Sequence, residues 1–174
     1  MMLAMTTAER RDAPRTADER TSLEGWLDFH RETLALKCEG LDDKQLREAT
    51  APPSGLTLLG LVRHMAEVER SWFRRVLDGQ DAPPIWYSDE DRDGDFRVTE
   101  TDTGEAAFAI WRDEVAKARA AAAGRSLDEV VTRRDRGHEE YNLRWIYLHM
   151  IEEYARHNGH ADLIRERVDG VTGD

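Results

Sequence analysis

Four residues in the last third of the chain have the types and spacing to act together: His149, Glu153, His157 and His160, separated by four, four and three positions. On an α-helix these intervals stack side chains along one face, a turn apart. Imidazole nitrogens and carboxylate oxygens bind divalent transition metals, so the run reads as part of a metal site. The same stretch also has to pack. Leu143, Tyr147, Met150, Tyr154, His157, Ala161, Ile164 and Val168 alternate steps of four and three, a heptad-like seam with His157 as its one polar member. Glu153 flanks that seam. A carboxylate buried there without a partner would cost several kcal/mol or take up a proton, so something must compensate it. The compensation is a buried ion pair or a hydrogen-bonded His–Glu pair, with Arg63 or Arg144 as partner, or it is a metal ion. Gly159 costs about 1 kcal/mol relative to alanine inside a helix, which predicts close approach of another helix or of a substrate at that point.

His64 favours the metal. It lies three residues after Leu61 and four before Val68, which turns it to the inner side of a second amphipathic segment. Donors from facing helices are how metal sites are built inside helical bundles. Two histidines and one carboxylate, with coordination positions left open, is a recurring composition for catalytic zinc and non-haem iron.

The elements that must hold these residues follow from periodicity and caps. A first helix is predicted to start near Thr21 or Ser22, with Asp18 and Glu19 as other starts, and to close at Gly40. His30 lies beside its apolar stripe and is expected to be a packing histidine. Leu41 to Ala49 is expected to form a helical turn. A second helix is predicted over Leu58–Leu77 with Thr57 as N-cap. A third begins after Thr101 or Thr103 and ends at Gly124, and a fourth begins at Asn142 or Glu139. The valines near Val130 could form a short extended piece, and His138 is expected to be a surface loop residue. Between the second and third helices runs Asp78 to Asp102, with seven aspartates, two prolines and the aromatics Trp86, Tyr87 and Phe96. A connection of that length in a compact domain is usually functional or disordered. The aromatics favour a lid or pocket wall over a plain linker. The expectation is an all-α fold, a four-helix bundle with a long connection between helices 2 and 3, over residues 19–170. Residues 1–18 are expected to be a disordered leader.

Composition removes several function classes. With a net charge of −11 and no basic stripe, the field of the molecule repels nucleic acid and anionic lipid. One cysteine, Cys38, cannot form an intrachain disulfide. No run approaches the ~18 apolar residues of a spanning helix. A cytoplasmic protein is expected.

The residues Leu61, His64, Val68, Glu69 and Trp72 on the second helix, with Glu153, His157 and Gly159 on the fourth, resemble the DinB-like superfamily. The stretch RHNGHADLIRE, residues 156–166, is similar to its actinobacterial mycothiol-transferase branch, and the resemblance runs from about Glu19 to Gly170. It implies a four-helix bundle holding one divalent metal through His64, Glu153 and His157, with zinc first and nickel, iron or manganese as alternatives. Many superfamily members carry histidine in place of Glu153 and glutamine in place of His160. His149 and His160 are then expected to support the ligands from behind. The resemblance also implies mycothiol as cosubstrate, a thiol attacking a small electrophile, and it admits a homodimer. In that reading Trp86, Tyr87 and Phe96 shape the electrophile pocket and Arg63 or Arg144 orients an acidic group; no residue is assigned as catalytic. The competing readings are metal-assisted hydrolysis of a small molecule and a non-catalytic, metal-stabilised bundle connected with stress.

Overall fold

The computed structural model describes residues 10–134 and 137–173. Helix α1 spans Glu19–Cys38 and begins where the Asp18 side chain accepts from the Thr21 N–H. This is the earlier of the expected starts. Gly40 follows the helix with φ +77°, a left-handed conformation that suits a residue without Cβ. The expected helical turn is the four-residue α2, Asp43–Leu46, closed by a capping box between Asp42 and Gln45. Thr57 caps α3, Leu58–Glu69, by accepting from the Gly60 N–H. The same rod continues through Arg70–Leu77 with π-helical winding, which keeps Trp72, Phe73, Val76 and Leu77 on the buried side. Thr103 caps α4, Gly104–Ala122, and Asn142 caps α5, Leu143–Asp169.

Two strands interrupt the helical expectation. Val130–Arg133 (β1) and Glu139–Asn142 (β2) pair antiparallel, with Val130 opposite Asn142 and Arg133 opposite Glu139. Gly137 and His138 both have positive φ in the connection, and His138 is exposed, as expected of it. The pair is too short to be stable alone. It is fastened to the helices by aromatic contacts: the Tyr141 ring lies 5.1 Å from Trp72 and 4.6 Å from Trp145. The protein is therefore mostly helical with a small two-stranded sheet, and the all-α expectation needs that correction.

α1 packs along α5, α3 along both α4 and α5, and the π-helical segment along α4. The seam expected on α5 is buried from Leu143 to Ile164, with Val168 half-buried at its end. A polar network runs through the core as well. The Arg31 guanidinium donates twice to Glu69, at 2.7 Å each, Tyr154 donates to the same carboxylate at 2.8 Å, and Trp111 donates to the Tyr154 hydroxyl at 2.8 Å. Burial alone would pull the Arg31 pKa down, but the charge and hydrogen bonds of Glu69 outweigh it and hold it above its ordinary value. Among the described residues no helix is long and apolar enough to cross a membrane.

Residues 1–9 of the expected leader lie outside the described residues. The following segment runs back along α1: the Arg11 N–H donates to Glu32 at 2.7 Å, and a Cβ on Gly25 would meet Pro14 Cδ at 2.5 Å.

Candidate metal centre

α5 carries Glu153 and His157 one turn apart, and α3 brings His64 against them. The ligand atoms of these three residues all lie within 4.8 Å of one another. Glu153 Oε2 is 3.5 Å from His157 Nε2, and the His64 and His157 ring centres are 4.6 Å apart. His157 is buried, 7% exposed, so the seam does bury an imidazole where its pattern calls for an apolar residue. The hydrogen bond from His157 outweighs burial and keeps the Glu153 carboxyl below its usual pKa. An anionic oxygen and two imidazoles in this arrangement suit a zinc-like cation, and the donor set leaves coordination positions free.

The two outer histidines flank the inner three. His149 Nε2 is 3.5 Å from Glu153 Oε1, and His160 Nδ1 is 3.4 Å from His157 Nδ1. Burial pushes both of their pKa values down, opposed at His149 by the Glu153 charge and reinforced at His160 by His157. His149 is also framed by aromatics, stacked on Trp145 at 4.8 Å and edge-on to Trp72 at 4.7 Å. His149, Glu152 and Glu153 form a second convergent group. The Arg156 guanidinium is paired with Glu152 of this group and lies 3.8 Å from Glu153 Oε2, the oxygen that faces His157.

The long connection forms a wall beside the centre. Phe96 stacks on His64, with ring centres 4.4 Å apart. Trp86 is placed one layer further out, its backbone N–H donating to Glu67 at 2.7 Å and its ring 5.0 Å beneath the Arg63 guanidinium. Tyr87 is turned elsewhere, accepting from Arg75 at 2.7 Å. Of the three expected pocket aromatics, only Phe96 touches the three-donor group.

The two arginines are paired elsewhere than at Glu153. Arg63 is buried and spends its guanidinium on the connection, donating to the carbonyls of Gly94 and Arg97 and to Asp102. Arg144 stands at the start of α5, paired with Glu19 and Asp128. Neither is the partner of Glu153, whose neighbours are His149, His157 and Arg156. Of the two expectations at Gly159, close approach of another helix is not met, because a Cβ there would meet nothing within 4 Å.

One residue at the centre escaped the sequence reading. Asp95 is 4% exposed and places Oδ2 at 2.7 Å from His64 Nδ1. It is one of seven aspartates in the connection, and no periodicity in an irregular segment marks it out. The only sequence signal was its position next to Phe96.

The model of one family, mycothiol S-transferase, matches residues 22–170. The chain belongs to the mycothiol S-transferase family. That match spans α1 to the end of α5, so it takes in every residue of the centre. No curated protein matches the chain.

Proposed function

We propose that this protein is a metal-dependent thiol S-transferase that uses mycothiol as cosubstrate, with His64, Glu153 and His157 as the ligands of a divalent ion, zinc first. The convergence of those three donors within 4.8 Å, from two helices, is the observation that carries the reading. The family match supports the thiol and the transfer class. A divalent ion held there would supply a positive charge that lowers the pKa of a nearby thiol and favours the thiolate as nucleophile.

The chain's own groups do the rest. Glu153 contributes the negative charge of the donor set. His149 and His160 abut the outer atoms of Glu153 and His157, restraining their orientation. Phe96 closes one side of the centre with an apolar face, excluding water where an electrophile would approach. Arg63 serves this site by fixing the wall. The helices would form a four-helix bundle within one domain, residues 19–170, in a cytoplasmic protein.

The test is conjugation of a model alkylating electrophile by purified protein, with mycothiol, before and after chelation. Turnover that requires both thiol and metal, and that His157→Ala abolishes, is the expected result. Cleavage of an ester or amide without thiol would replace this reading with a hydrolase. Full metal occupancy with neither activity would leave a metal-stabilised scaffold.

A further inference from the structure

We infer that Asp95 is a positioning residue for the metal centre: it holds His64 by Nδ1, and through it the 84–97 wall sets the geometry of the third donor. This rests on the metal reading above and adds a group from outside the helices. A carboxylate 2.7 Å from Nδ1 accepts the proton on that nitrogen. That fixes the tautomer and leaves Nε2, with its lone pair, as the coordinating atom. The ring is then held on three sides, by Asp95 at its edge, Phe96 on its face at 4.4 Å and His157 against it at 4.6 Å.

Asp95 can position another residue because it is itself fixed. Its other oxygen, Oδ1, accepts from the Phe96 N–H at 3.1 Å. Its neighbour Gly94 is gripped through its carbonyl by Arg63 at 3.0 Å, and the far limb of the wall is held by Glu67, which accepts from the N–H groups of Ile85 and Trp86 at 2.6 and 2.7 Å. The two limbs touch: a Cβ on Gly94 would fall 2.2 Å from the Trp86 carbonyl oxygen. Arg63, His64 and Glu67 are thus three residues of one helix that bind the same wall, and only the middle one also faces the donors of α5. Binding of an ion and docking of the wall are therefore linked, and each strengthens the other.

The experiment measures metal affinity, not turnover. Wild type, Asp95→Asn, Asp95→Ala and Phe96→Leu are titrated with zinc against a chromophoric chelator, and the visible spectrum of the cobalt(II) form is recorded for each. Removing such an outer partner typically weakens metal binding about 10- to 100-fold, so Asp95→Ala is expected in that range, with a shifted cobalt spectrum. Asp95→Asn keeps an acceptor but loses the charge, and is expected to fall between it and wild type while melting close to wild type without metal. Phe96→Leu keeps an apolar face against the His64 ring and is expected to weaken zinc binding less than Asp95→Ala does. In the wild type, zinc is expected to slow amide hydrogen exchange across 84–97. An Asp95→Asn protein that is folded, binds zinc as wild type does and gives an unchanged cobalt spectrum would overturn the inference. Loss of zinc in Asp95→Ala together with full zinc binding by His157→Ala would instead overturn the ligand set on which it rests.

Discussion

Glu69→Ala tests the scaffold apart from the site. Glu69 is fully buried and carries three hydrogen bonds, two from Arg31 and one from Tyr154. The substitution leaves the Arg31 guanidinium, 5% exposed, with Asp28 at 2.9 Å as its remaining anion. It also deprives the Tyr154 hydroxyl of its acceptor. Removing one member of a buried ion pair costs about 3–5 kcal/mol, chiefly because the other charge is stranded. Asp28 offsets some of that and the lost tyrosine bond restores about 1 kcal/mol, so the same range stands. For a chain of this size each kcal/mol moves the melting temperature by about 2–4 °C. Thermal unfolding of the metal-free mutant, followed by circular dichroism, should therefore occur about 6–20 °C below wild type. A second variant, Arg31→Met with Glu69→Leu, removes both charges and should recover much of the loss. Below the mutant's transition, Glu69→Ala should still bind one equivalent of zinc, because its carboxylate touches none of the three donors. A loss under about 1 kcal/mol, or a double mutant no more stable than the single, would refute the assignment of this network as a stranded-charge device.

Three further outcomes are expected. Glu67 has its pKa raised by burial, only partly offset by the N–H groups of Trp86 and Ile85, and its Oε2 has no partner. Its charged form is thus disfavoured by folding, and its contribution to stability falls as pH rises from the ordinary carboxylate range through its raised folded value. The stability of Glu67→Gln relative to wild type should therefore grow between pH 4 and 7 in denaturant titrations, and a flat difference would count against the burial argument. Cys38 is buried, and desolvation pushes its thiol up to about 12, so an aromatic disulfide reagent at pH 8 should label it only in denaturant; rapid native labelling would contradict that burial. His157→Ala should lose its zinc equivalent while His138→Ala, in the exposed hairpin turn, should keep it; elemental analysis of the two purified proteins decides both.

What was legible in the sequence was what repeats at a helical interval or announces a helix end. Thr57, Thr103 and Asn142 were readable as caps because a short polar side chain precedes an apolar-periodic run, and each does accept from an N–H of its first turn. His64, Glu153 and His157 were readable because their offsets within apolar seams put them on inward faces. Asp95 was not, since its place beside His64 depends on how a long irregular segment folds back over α3. The hairpin was only half visible, because four-residue strands rich in charge, EEYN above all, have no pattern of their own and are held by Trp72 and Trp145 from elsewhere. Arg63 is a buried cation, but its acceptors, two carbonyls and the Asp102 carboxylate, belong to a segment with no readable geometry. At Gly159 the cost of a helical glycine points to a close neighbour, either a helix or a substrate, and no helix supplies one, since the surrounding space is open.

Glu153 and His157 stand on one uninterrupted helix of 27 residues, so their separation acts as a fixed ruler. His64 stands on another rod, α3, which packs along α5; Leu61 and Met65 on the one and Met150 on the other are fully buried. A larger cation needs the rods further apart and a smaller one needs them closer, whereas the ruler on α5 cannot stretch. In the proposed metal reading, the core side chains that set the distance between α3 and α5 would then select the ionic radius. Exchanging one of those for a bulkier or slimmer residue should retune which cation fits, without touching any atom that binds it.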